Sequence, residues 1–196
     1  MNLVHSIEIP AVVTGLANIY LATRISQLNW LFGAISVMFY AIIFYQTKLY
    51  ADMVLQGIYL LFQLYGWLQW QTKYQDETSL PIKKISRKNF LIGLISFMSL
   101  FSLSYFFLSH YTDSTTVIAD SLITALSLIA QWMMCNKWIE NWSIWIVVDS
   151  ISIILYLFKH LYLTSGLYVL LLVLCIMGYK QWKSCQDEKA TAQVLI

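Results

Sequence analysis

Charge is what this chain has least of. Of its 196 residues 12 are Lys or Arg and 10 are Asp or Glu, 11% in all, where an ordinary soluble domain carries about a quarter. So little charge cannot solvate a globule of this size, which excludes a water-soluble fold. Cysteine is scarce too. Cys135, Cys175 and Cys185 show no paired spacing, and His5, His110 and His160 fall on three separate segments, so neither a disulfide framework nor a metal site is expected. The net charge is only +2, with the positive residues in short loops, and this leaves no basic stripe for nucleic acid. Met1 to Pro10 lacks the basic start, apolar core and small-residue cleavage site of a removable signal, so the first apolar block is expected to stay in the mature protein.

What the chain has in abundance is hydrophobic residues, 59% of the total. They come in long blocks, several reaching the roughly 20 residues that cross about 30 Å of hydrocarbon. The blocks predict an all-α integral membrane protein with seven transmembrane helices, at 7–23, 28–46, 50–71, 90–108, 117–135, 141–158 and 161–182. Alternating the loops puts Arg24, Lys73, Lys83, Lys84, Arg87, Lys88, Lys137, Lys180, Lys183 and Lys189 on one side and only Lys48 and Lys159 on the other. By the positive-inside rule the N-terminus is expected outside, and the loop from Gln71 to Asn89 and the C-terminus in the cytoplasm.

Sliding the sequence along itself by 112 residues superposes Asn29-Trp30 on Asn141-Trp142, Leu49-Tyr50 on Leu161-Tyr162, Leu55 on Leu167, Gly66 on Gly178 and Gln69-Trp70 on Gln181-Trp182. Rare Trp, Gly and Asn at one constant offset point to duplication. The expected organisation is a first three-helix repeat at 1–71, a loop and linker helix at 72–116, and a second repeat with a short cytoplasmic tail at 117–196. One helix between two copies makes the repeat parallel, the 3+1+3 plan of SWEET transporters.

Polar residues lie in stripes inside these apolar segments. An ionisable group in hydrocarbon costs about 2.5–3.5 kcal/mol on insertion scales, so those that are kept are usually functional or paired. Trp142, Trp145, Asp149, Ser152 and Tyr156 follow at steps of three and four, which is one helix face. Asp52, Gln56, Tyr59, Gln63, Gly66 and Trp70 form a second stripe. Facing each other, the two would line a polar, aromatic-walled cavity near the midplane, suited to a flat cationic ligand. Plainer readings stand beside this one. Trp30, Trp70, Trp142 and Trp182 lie near span ends, where tryptophan anchors at the interface. Gln63 is either a ligand contact or interhelical glue, and Gly66 and Gly178 permit close helix packing. Asp120 is a helix N-cap or, with Asp52, draws cations to the mouth. Asp149 is a substrate contact or a buried structural acid. The expected substrate contacts are Gln56, Tyr59, Gln63, Trp67, Asp120, Trp142, Trp145, Asp149 and Tyr179.

In the segments LYADMVLQ (49–56), YGWLQW (65–70), ADS (119–121) and ENWSIWIVVDSIS (140–152) the chain resembles the PnuC family of bacterial vitamin transporters, along nearly its whole length. The resemblance implies facilitated diffusion of a water-soluble vitamin across the bacterial inner membrane, trapping of the product by a cytoplasmic kinase, a homotrimer and no cofactor. The nicotinamide riboside branch, as the resemblance aligns it, carries asparagine at the positions of Ser36, Gln63, Asp149 and Met177. Loss of those amides, together with a carboxylate facing an aminopyrimidine, points to the thiamine (PnuT-like) branch, with nicotinamide riboside next and riboflavin third. An enzyme would need a nucleophile, metal cluster or acid-base pair, and no such His or Cys constellation is present. A non-transporting scaffold would not need acids and amides in both apolar stripes.

Overall fold

The computed structural model describes residues 3–72, 82–112 and 115–194. Lys73 and the rest of the expected loop up to residue 81 lie outside the described residues, as does the side chain of Lys189. There are seven helices among the described residues: α1 (Leu3–Thr23), α2 (Leu28–Gln46), α3 (Tyr50–Thr72), α4 (Arg87–Tyr111), α5 (Val117–Cys135), α6 (Glu140–Phe158) and α7 (Tyr162–Val194). The second and fifth coincide with the expected spans at both ends. Helices α1, α4 and α7 overrun theirs by three residues or more. Helix α4 starts three residues early because Ser86 caps it, its Oγ accepting from the Asn89 N–H at 3.3 Å. Helix α7 continues to Val194, so Lys183 sits on a helix rather than in a tail. At about 1.5 Å per residue, its 33 residues are longer than the hydrocarbon is thick.

Six of these helices are long and apolar enough to cross a membrane, and α3 is not among them. Its polar residues explain this, since Asp52, Gln56, Gln63, Gln69 and Gln71 lower its hydropathy. The outward faces carry large apolar side chains. Leu163 and Phe158 are 92% and 83% exposed, a burden that lipid removes and water would not.

The chain forms two compact units, Met1–Pro81 and Ile82–Ile196. In the first, α2 packs against both α1 and α3; in the second, α4, α5, α6 and α7 pack each on the next. The hairpin turns repeat. Residues 24–27 and 136–139 join helices by the same length of chain, as do 47–49 and 159–161. Each turn holds a non-glycine residue in the left-handed region: Ile25 and Lys137 at φ 57° and 53°, Lys48 and His160 at 61° and 58°. The next residue's N–H then reaches back five positions, Ser26 to Leu21 O at 3.0 Å and Trp138 to Met133 O at 3.2 Å. Leu49 to Phe44 O at 2.8 Å and Leu161 to Tyr156 O at 2.9 Å do the same. These bonds satisfy helix-end carbonyls that hydrocarbon would leave orphaned.

The segment before α4 is tied to the second unit. Lys83 donates to Lys137 O and its own carbonyl accepts from the Ile139 N–H, both at 3.0 Å. The Ile85 N–H donates to Glu140 Oε2 at 3.1 Å. Ile85 also packs on the buried cluster of Ile129, Met133 and Trp138.

Candidate functional site

In each unit a pair of tryptophans is wedged into a glycine notch. Trp30 meets Trp70 edge-to-face at 5.2 Å, and Trp142 meets Trp182 at 5.5 Å, both at 89°. A Cβ added to Gly66 would land inside the Trp30 ring, and one added to Gly178 would meet Trp142 at 2.6 Å. Only glycine lets these rings approach the helix backbone. All four rings are at most 2% exposed, so interfacial anchoring gives way to intramolecular packing, with edge-to-face pairing adding about 0.5–1.5 kcal/mol beyond burial. Trp142, expected as a substrate contact, spends its ring on this packing. The close-packing role of Gly66 and Gly178 is borne out.

One turn further along, the two units differ. In the first, Gly33 lies under the Gln63 amide, where a Cβ would come within 2.5 Å of Oε1. Gln63 is buried at 4% exposure, and its Oε1 has no hydrogen-bond partner among the described residues. One turn along α2 from Gly33, Ser36 Oγ donates to the Ala11 carbonyl at 2.9 Å, a bond that fastens α2 to α1. Gln56, Tyr59 and Trp67 are half-buried on the same helix, while Asp52 at the helix start is exposed.

In the second unit the positions 112 residues on from Gly33 and Gln63 are Trp145 and Cys175. Asp149, one turn beyond Trp145, is 3% exposed and accepts from Cys175 Sγ at 3.3 Å. This is its one hydrogen bond to a described residue, and a thiol is a weak donor. Ser152, a turn further on, is fully buried with a hydroxyl that has no partner among the described residues, as is Ser121 on α5. A carboxylate and hydroxyls left short of partners in hydrocarbon cost several kcal/mol, about 1–3 for each neutral group, which a polar ligand or water would recover. Trp145, Tyr156 and Tyr179 are half-buried, whereas Val147, Ile154 and Leu157 across α6 are exposed. The stripe therefore faces inward as its spacing implies.

Asp120 is placed otherwise than expected. The N-cap position of α5 belongs to Thr116, whose hydroxyl donates to Asp120 Oδ2 at 2.9 Å, and Lys159 Nζ sits 3.6 Å from Oδ1. The acid is already paired at the end of its helix. The residues that the pattern missed are Gly33, Ser121 and Cys175. Only the last had a usable signal, its constant offset from Gln63.

The family described as nicotinamide mononucleotide transporter matches residues 5–184. The chain is 26% identical to the nicotinamide riboside transporter PnuC of Escherichia coli, over 94% of this chain and 88% of that one. It is 28% identical to PnuC of Neisseria mucosa, over 88% and 70% respectively. A crystal structure of a vitamin B3 transporter PnuC superposes with a TM-score of 0.70 at 27% identity, covering 91% of this chain and 81% of the other. These relatives give the thiamine branch no support.

Proposed function

The chain belongs to the nicotinamide mononucleotide transporter family, and we propose that it carries nicotinamide riboside across the bacterial inner membrane. It is a multi-pass membrane protein and a transporter rather than an enzyme, as its relatives are. The substrate rests on their names. The observation in this chain that supports it is Asp149, a buried acid in an apolar helix with one weak donor. Nicotinamide riboside is a flat ring with a permanent positive charge and a carboxamide. A carboxylate can balance the charge or accept from the amide N–H, and Trp145 and Tyr179 supply aromatic faces.

That chemistry explains why the four substitutions mislead. A carboxylate favours any flat cation, thiamine and nicotinamide riboside alike. In this reading all seven helices span, the N-terminus is outside, and the two three-helix segments form a parallel repeat around one linker helix. The residues read as meeting the substrate are Gln56, Tyr59, Gln63 and Trp67 in the first segment and Trp145, Asp149 and Tyr179 in the second. Transport is facilitated diffusion, with phosphorylation trapping the product in the cytoplasm and three copies forming the particle.

Tryptophan-fluorescence titration of the purified protein with nicotinamide riboside, thiamine and riboflavin, followed by uptake into liposomes holding this protein alone, tests the substrate. Saturable quenching and flux with nicotinamide riboside, both lowered about tenfold or more by Asp149→Asn, are expected. Preference for thiamine would overturn the substrate, and an inert Asp149→Asn would overturn the site.

A further inference from the structure

We propose that Cys175 is a positioning residue that aims the Asp149 carboxylate, and through it sets the preference for a cationic ring over its uncharged counterpart. This rests on Asp149 as the substrate-contacting acid. The two side chains come from neighbouring helices, α6 and α7, and are both 3% exposed with Sγ and Oδ2 3.3 Å apart. No other hydrogen bond from a described residue holds the carboxylate. A competitor for it stands one turn away, because Ser152 is on the same helix face with its hydroxyl buried and unpartnered. An aspartate released by Cys175 could rotate toward that hydroxyl. The two would satisfy each other, and the negative charge would be turned from the ligand.

The choice of a thiol fits this role. As a weak donor it orients an oxygen while leaving its charge largely unspent. Size points the same way. In the first unit the equivalent position is Gln63, whose amide fills the space over Gly33. Cysteine is smaller by three heavy atoms, so at this level of the second unit the long polar group is Asp149 itself.

The test is calorimetric binding of nicotinamide riboside and of its uncharged 1,4-dihydro form to the wild-type protein, Cys175→Ala, Cys175→Ser, Asp149→Asn and the Asp149→Asn/Cys175→Ala double variant. Cys175→Val removes the donor at closer volume should the alanine variant fold poorly. Loss of the thiol is expected to weaken the cation about fivefold with little change for the dihydro form, so the ratio of the two affinities falls. Cys175→Ser should restore that ratio only in part, because its stronger hydroxyl donor draws on the charge, and the alanine change should have no further effect once Asp149 is asparagine. Equal weakening of both ligands would reduce Cys175 to a packing role and overturn the proposal. So would an effect of the same size in the Asp149→Asn background. If Asp149→Asn weakens the cation but Cys175→Ala does not, this inference fails alone; if Asp149→Asn is itself silent, the site reading fails first.

Discussion

The two three-helix segments agree at one level and part company at the next, and the boundary between likeness and difference is a single helical turn. At the level of Trp30 and Trp142 they carry the same ring pair at nearly the same separation, against glycines at the same offset. Their turns place left-handed residues at matching positions. One turn on, Gly33 and Gln63 face each other in the first segment, and Trp145 and Cys175 occupy those positions in the second. Val37 and Tyr40 give way to Asp149 and Ser152. The same helix clamp serves in both segments because each faces the same packing problem. A ligand lacks that two-fold likeness, so the residues that meet it have reason to diverge.

The largest effect should come from the shared level. Gly66→Ala and Gly178→Ala each drive a methyl into a buried indole that has no room to yield, a change expected to cost about 1–3 kcal/mol. Both should lower the melting temperature in detergent by several degrees. Gly57→Ala and Gly166→Ala, where an added Cβ meets nothing within 4 Å, should be neutral or slightly stabilising. If only one of the two clamp glycines is sensitive, the likeness of the segments is geometric without being energetic.

A smaller and more informative effect belongs to the divergent level. Gln63→Leu removes a buried amide oxygen that has no partner among the described residues and keeps the bulk over Gly33. Stability should hold or rise by up to about 1 kcal/mol, while affinity for nicotinamide riboside falls several-fold. Interhelical glue predicts the reverse, a lower melting temperature with unchanged affinity, so the signs alone decide between the two readings of this glutamine.

How much of this was legible beforehand follows from what hydropathy can sense. The α2 and α5 boundaries were readable because polar turns interrupt apolar runs at both ends. The ends of α4 and α7 were not, since a serine cap and a helix that continues after its apolar run leave no mark on hydropathy. The offset of 112 was readable because Trp, Gly and Asn are rare enough to align. The burial of those tryptophans was not, because a ring at a helix end reads the same whether it meets lipid headgroups or a glycine notch. Asp149 stood out as an acid in an apolar run, whereas Cys175 is apolar on any scale and acquires meaning only from the carboxylate beside it. The thiamine reading, which the relatives do not support, rested on a different step. It inferred one ligand from a carboxylate and aromatic walls, which any flat cation satisfies.

The least effect is expected from the second segment's other membrane-end acid. Asp120 pairs with Lys159 at 3.6 Å, with side chains 26% and 35% exposed. The corresponding positions in the first segment are Glu8 and Thr47, which cannot form the same ion pair. Pairs this exposed contribute about 1 kcal/mol or less and weaken with salt. Asp120→Asn should therefore shift the melting temperature by no more than a degree or two at low ionic strength and by less at high salt. Nicotinamide riboside affinity should be nearly unchanged, because a carboxylate already engaged by Thr116 and Lys159 has little charge to offer a passing cation. A drop in affinity comparable to that of Asp149→Asn would mean that the acid at the mouth belongs to the binding site, and that the polar divergence of the second segment runs to the end of α5 rather than stopping in the middle of α6.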